Sequence, residues 1–194
     1  YNSRNIRRKQ TSDVLLAFEY FMKKLPPEEQ QKCRLILHTQ PVDEHGTDLP
    51  AVIHDVMPNM EKYIIFSTER TEADRINLLY NIADVTINLS SNEGFGLGTC
   101  ESIMAGTPIV VNVTGGLQDQ CGFVNDNGEY LDPEKDFTYE WGSNHDGRFR
   151  NHGEWAFPVF PVSRSLQGSP LTPYIFDDRA SWEDAGEQIG RAHV

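Results

Sequence analysis

The feature that most constrains this chain is its alternation of short apolar runs with stretches of helical periodicity. Leu35-Ile36-Leu37 is a continuous apolar run bounded by polar residues and by Pro41, which predicts a buried strand. Further strands are expected at Tyr63 to Ser67, Val85 to Leu89 and Ile109 to Val113. Between them the spacing turns helical. Thr11 and Ser12 can cap a helix whose Val14, Phe18, Phe21, Met22 and Leu25 recur on one face, and Pro26-Pro27 ends it. Helices are also expected over about 72–82 and 97–105. The second of these closes at Gly106, because Thr107-Pro108 forbids continuation. Strands alternating with helices predict an α/β domain over residues 1–120, a Rossmann-like parallel sheet with helices on both faces.

Beyond Gln120 the periodicity dissolves. Residues 121–176 are rich in Gly, Pro, Asn and Asp and carry Tyr130, Phe137, Tyr139, Trp141, Phe149, Trp155, Phe157 and Phe160. So many large apolar side chains predict an ordered, irregular insertion packed on the domain rather than a disordered linker. Residues 177–188 read as the start of a truncated C-terminal helix, with Ser181 as its cap. The tail Ile189-Gly190-Arg191-Ala192-His193-Val194 resembles the translation of a sequencing-adapter oligonucleotide and is expected to be non-native. The start at Tyr1 leaves little room for a strand ahead of the first helix.

Composition narrows the function classes. A formal charge of −12 opposes contact with a phosphate backbone, so no nucleic-acid partner is expected. No apolar run reaches the roughly 18 residues of a membrane span, and the N-terminus lacks the basic-then-apolar order of a secretory signal, so no transmembrane segment and a cytoplasmic location are expected. Cys33, Cys100 and Cys121 are scattered and odd in number, as reduced thiols would be, and no CxxC or paired-His spacing offers a metal site. His38 and His54 read as satisfied or surface histidines, since no nucleophile is placed beside them. Trp141 and Trp155 read as packing aromatics of the insertion.

The segment with the strongest chemical pattern runs from Ser90 to Glu101, leaving a buried strand and opening a helix. Ligands of open α/β sheets bind beyond the carboxyl ends of strands, where this loop lies. Gly94 and Gly96 let backbone approach a ligand, and the amides around Phe95, Gly96, Leu97 and Gly98 suit phosphate or sugar oxygens. Glu93 can accept from sugar hydroxyls. Glu101, one turn into the helix, can reach a second hydroxyl pair such as a ribose's.

Glu93 and Glu101 have seven residues between them, with EGFGL in front and ESIMAGTPIVV behind. This resembles the E-x7-E signature of retaining GT-B glycosyltransferases, the group related to sucrose and glycogen synthases. The resemblance implies that the domain is the C-terminal, donor-binding half of a GT-B fold. It implies that Glu93 contacts the transferred sugar, that Glu101 holds the nucleotide ribose, and that the amides of Gly94, Phe95, Gly96 and Leu97 bind sugar and diphosphate. Arg4 and Lys9, in SRNIRRKQTSDVLLAF, resemble the family's basic pair that neutralises the diphosphate. The family more often has glycine after the lysine, where this chain has Gln10. Tyr80-Asn81-Ile82-Ala83-Asp84 and Thr114-Gly115-Gly116 also resemble family segments.

The implied activity is sugar transfer, with retention, from a nucleoside diphosphate sugar to an unknown acceptor, with Glu93, Arg4 and Lys9 as catalytic candidates and no cofactor or metal. An N-terminal GT-B domain carrying the acceptor site is the implied partner, and this domain by itself is expected to be inactive. A GT-B-like nucleotide-sugar epimerase and a non-catalytic nucleotide-sugar-binding module are the alternatives. In a structure, Arg4 and Lys9 are expected to point at the amides of Phe95 to Leu97, neither needing a carboxylate partner.

Overall fold

A computed structural model describes residues 1–132, 134–136 and 147–192. The chain is an α/β domain. β1 (Leu35–His38) pairs in parallel with β2 (Ile64–Ser67), and β3 (Thr86–Asn88) and β5 (Ala156–Val159) pair in parallel with β4 (Ile109–Asn112). Tyr1 and Asn2 form one further short parallel rung. The His38 amide donates to the Tyr1 carbonyl at 2.9 Å, and Asn2 bridges His38. Tyr1 also lines a recess with Ile36 of β1 and Ile87 of β3. The resulting sequence β2-β1-rung, then β3-β4-β5, is that of a doubly wound sheet.

The apolar runs are continuous because the sheet is covered twice. On β4, Val110 joins a core with Val14, Phe18 and Met22 of α1 (Thr11–Lys24), Leu49 and Ile53 of α3 (Leu49–Val56), and Ile189 of α7 (Trp182–Ala192). Its neighbours Ile109 and Val111 point the other way. They meet Leu117 of α6 (Gly115–Gln120), Cys121 and Phe123, with Ile103 of α5 (Leu97–Met104) beside them. α2 (Pro27–Gln30) is a single turn, begun by the proline that the sequence reads as a helix end, and α4 (Ala73–Ile82) precedes β3.

Three parts differ from the sequence expectations. α3 and the 3-10 turn Pro58–Tyr63 fill the stretch between β1 and β2, where no element is expected; the Asp48 side chain caps α3 by accepting from the Ala51 amide at 2.9 Å. The stretch 121–176 contains β5, the whole of β6 (Pro161–Ser169) and the first part of β7 (Thr172–Ala180). β6 and β7 form an antiparallel hairpin with register shifts between Pro161 and Ser163 and between Gln167 and Ser169. Those irregularities, and the proline in β5, erase the period that a sequence scan needs. The third part is the C-terminal segment: residues 177–180 belong to β7, and α7 starts at Trp182 and continues to Ala192, with Ile189 in the core that α1 builds. Ser181 caps α7, its Oγ accepting from the Asp184 amide at 3.1 Å. Phe137, Tyr139, Trp141, His193 and Val194 lie outside the described residues. Trp155 packs on Gly122 and Gly153 and donates through Nε1 to the Gln120 carbonyl at 2.9 Å.

All three cysteines are free thiols. No helix among the described residues is long and apolar enough to cross a membrane.

Candidate functional site

The N-terminal rung and β3 are the strands between which a doubly wound sheet reverses its order, and a recess of about 430 Å³ opens just beyond their carboxyl ends. Asn2, Ser3, Lys9, Asn88, Glu93, Phe95, Gly96, Leu97, Gly98 and Glu101 line it.

Three pieces of chain build its wall. The 3-10 turn Arg7–Lys9 brings Lys9 in from the N-terminal side and is tied to the loop after β3 by the Ser91 amide, which donates to the Arg8 carbonyl at 2.8 Å. The loop itself ends at Gly96, the N-cap of α5, with φ of +88°, a left-handed conformation that a side chain would strain. α6 presses on it from behind: the Gly116 amide donates to the Glu93 carbonyl at 2.9 Å, and a Cβ at Gly115 would stand 2.0 Å from that same oxygen. The first-turn amides of α5 have no acceptor within their own helix and face the recess with the positive end of the helix dipole.

Glu93 is 8% exposed, and a carboxylate so buried must be paired. Lys9 Nζ donates to its Oε2, Arg8 Nη1 lies 3.4 Å from the same atom, and Ser90 Oγ lies 3.5 Å away. Arg8 also donates to the Asn92 carbonyl at 2.8 Å. Lys9 and Glu93, distant in sequence, therefore meet, but directly rather than across a gap.

Arg4 does not join them. Its guanidinium forms a two-pronged pair with Asp43, at 2.8 and 3.2 Å, on the loop after β1. That loop is drawn close by Asn5, whose buried amide donates to the Thr47 carbonyl at 2.7 Å. This corrects the expectation that Arg4 points at the amides of Phe95 to Leu97. It also corrects the expectation that neither basic residue takes a carboxylate partner. The physical reason is that the planar guanidinium of Arg4 matches the Asp43 carboxylate, while the nearly buried Glu93 carboxylate takes the Lys9 ammonium as a point charge, once tertiary contacts bring each pair together. The pairing holds Asp43 below the usual carboxylate range.

Glu101 stands at the border of the recess. Its Oε2 accepts from Tyr80 Oη at 2.9 Å, and Tyr80 Oη accepts from Asn2 Nδ2 at 2.8 Å. Beyond this row lies a second recess of about 580 Å³, lined by Thr71, Ala73, Ile76, Asn77 and Met104, with Asn2, Tyr80 and Glu101 facing it too. Burial pushes the Tyr80 phenol far above its ordinary range, and the Glu101 carboxylate adds to this against the pull from Asn2. The phenol thus stays a donor and fixes the carboxylate. Tyr80→Phe removes that donor, so Glu101 is expected to lose about 1 kcal/mol of positioning and a nucleoside diphosphate about fivefold in affinity, checked by calorimetry.

Sequence reading missed Arg8, Asp43, Tyr80 and Asn2 as parts of the site. Arg8 and Tyr80 carried a signal, lying within the basic run and in the Tyr80-to-Asp84 segment. Gln10 resolves the departure after Lys9: it adopts φ of +50°, a conformation glycine takes freely, so the backbone follows a glycine-like course. Its Oε1 accepts from Arg179 at 3.0 Å. His38 bonds Ser67 and His54 bonds Asp55, both away from the recess. Among the described residues no group of three or more His, Cys, Asp or Glu could hold a metal ion.

Comparisons with known proteins bear on this geometry. The sequence model of a family described as "Family 4 Glycosyltransferase in conflict systems" matches residues 3–127. An uncharacterized glycosyltransferase of Methanocaldococcus jannaschii is 32% identical over 123 residues, covering 61% of this chain and 30% of that protein, so the chain spans under a third of that relative's length. The crystal structure of the C-terminal domain of LpcC, a glycosyl transferase group 1 family protein from Francisella tularensis, is 22% identical with a TM-score of 0.50, covering 67% of this chain and 64% of that one. The apo structure of OtsA is 14% identical with a TM-score of 0.52, covering 69% of this chain and 32% of that one. These structural likenesses show the shared fold.

Proposed function

Since this chain belongs to the family 4 glycosyltransferases of conflict systems, we propose that its recess binds a nucleoside diphosphate sugar, and that the protein containing it transfers the sugar to an acceptor with retention. The observation that carries this reading is the convergence of Lys9, Glu93, the first turn of α5 and Glu101 on one recess.

Departure of a nucleoside diphosphate builds negative charge on the leaving phosphate while the sugar becomes oxocarbenium-like. Donors already aimed at that charge stabilise it without reorganising. Lys9 and the α5 amides are those donors in this reading. Arg4 stands on the same sheet edge and would add to them by exchanging Asp43 for phosphate. Glu93 orients the sugar through its hydroxyls and is not assigned as a nucleophile, because same-face attack by the acceptor needs none from the protein. Glu101, oriented by Tyr80, takes the ribose hydroxyls at the border between the two recesses. The nucleobase then lies in the larger recess against Ile76 and Met104. An acceptor-binding domain completes the cleft.

Calorimetry with UDP, GDP, ADP and their sugars tests the assignment. At least one nucleoside diphosphate is expected to bind, with its sugar conjugate binding tighter. Absence of heat with every member of the panel, on protein that melts cooperatively, sinks it.

A further inference from the structure

The hairpin strand β7 lies outside the segment matched by the family, residues 3–127, yet it bonds two of the three residues that lead into Glu93, Ser91 and Asn92, and reaches the third, Ser90, through Asn112. The Asp178 amide donates to the Ser91 carbonyl at 2.8 Å, Ser91 Oγ donates to Asp177 Oδ1 at 3.2 Å, and Asn92 Nδ2 donates to the Phe176 carbonyl at 3.1 Å. Asn112, at the end of β4, closes the arrangement by donating to the Ser90 carbonyl at 2.9 Å and to the Asp178 carbonyl at 2.7 Å.

The centre is an ion pair. Asp178 is fully buried; its Oδ1 accepts from Arg164 Nε at 2.7 Å and its Oδ2 from Thr114 Oγ1 at 2.9 Å. Only the carboxylate of this pair is buried, the Arg164 side chain being 29% exposed; a buried carboxylate must keep its cation, and the best-attested use of such a pair is to fix one register. Asn112 points the same way. Both its amide hydrogens are committed to Ser90 and Asp178, which fixes its orientation, and among the described residues its buried Oδ1 has no partner.

We infer that the Arg164–Asp178 pair of the hairpin is a positioning device for the donor loop, setting through Ser90, Ser91 and Asn92 where the Glu93 carboxylate stands in the recess. Arg164 and Asp178 are positioning residues: neither lines the recess. The inference rests on the donor-site reading. Because Glu93 serves the sugar, disturbing the pair should erode the preference for a nucleotide sugar over its bare nucleotide, whereas a purely structural role would lower thermal stability and leave that preference intact.

The test uses the full-length protein carrying this chain, with UDP, UDP-glucose, GDP and GDP-mannose as probes in calorimetry and thermal melting in parallel. In Arg164→Ala the ratio of sugar-conjugate to nucleotide affinity is expected to fall about tenfold, as a displaced group in a reaction centre does. Arg164→Lys, which restores the charge without the Nε geometry, is expected to recover part of it. Should Arg164→Ala not fold, Arg164→Lys carries the ratio test. Unchanged ratios with a lowered melting temperature overturn the inference and leave the donor site standing. A wild-type protein that binds none of the four probes overturns both.

Discussion

Lys9→Ala is expected to weaken nucleoside diphosphate binding by about one to two orders of magnitude, the worth of a charge-assisted hydrogen bond of about 1.5–3 kcal/mol. It has a second, separable effect. In the protein Lys9 pairs with a Glu93 carboxylate that is nearly buried, so removing the ammonium leaves that charge with Arg8 as its remaining cationic neighbour. Breaking one side of a buried pair costs about 3 kcal/mol at the low end of the measured range, a melting-temperature drop of about 6–12 °C for a chain of this size. The two effects come apart in the double variant. With Glu93→Gln added, no buried charge is stranded, so most of the melting temperature should return while nucleotide affinity stays low. A Lys9→Ala protein with wild-type affinity would remove Lys9 from the phosphate site. A double variant melting as low as Lys9→Ala would show that the pair is not what sets the stability.

The second large effect separates the two carboxylates. Glu101→Ala is expected to weaken UDP or GDP by about 10- to 100-fold, because a ribose held by a charged acceptor loses about 1.5–3 kcal/mol without it. Glu93→Ala should act on the sugar instead, leaving the bare nucleotide almost unchanged while flattening the differences among nucleotide sugars. Their surroundings motivate the division. Glu93 sits inside the recess against Lys9, whereas Glu101 sits on its border, aimed by Tyr80 and facing both recesses. Calorimetry on both variants with a nucleotide and three of its sugars decides it. Equal losses for every ligand in both variants would dissolve the assignment of sugar to Glu93 and ribose to Glu101.

Lys9 and Arg4 show where sequence reading stops. The basic run ahead of α1 is visible as a pattern, and so is the loop of Glu93, because each is local: a strand end, glycines, a helix start. That both lie at one sheet edge follows from parallel topology. Which carboxylate each cation takes does not follow. Arg4 meets Asp43 because Asn5 draws in the loop after β1, a contact that no periodicity announces. Lys9 meets Glu93 rather than standing across a gap because burial of that carboxylate demands a cation.

The residues after Gln120 mark the same boundary more sharply. β5 is a strand because β4 offers it an unpaired edge, and the hairpin of β6 and β7 is held on the Glu93 loop by Ser91, Asn92 and Asp178. The sequence by itself determined the α/β alternation, the doubly covered sheet and the position of the Glu93 loop, since each depends on side-chain spacing within one segment. The tertiary structure decided the partners of Arg4, Arg8 and Lys9, the strands beyond residue 120 and the pairing of Arg164 with the buried Asp178. Those depend on contacts between segments far apart in the chain, where hydrogen-bond pairing of buried polar groups, and not local propensity, selects the arrangement.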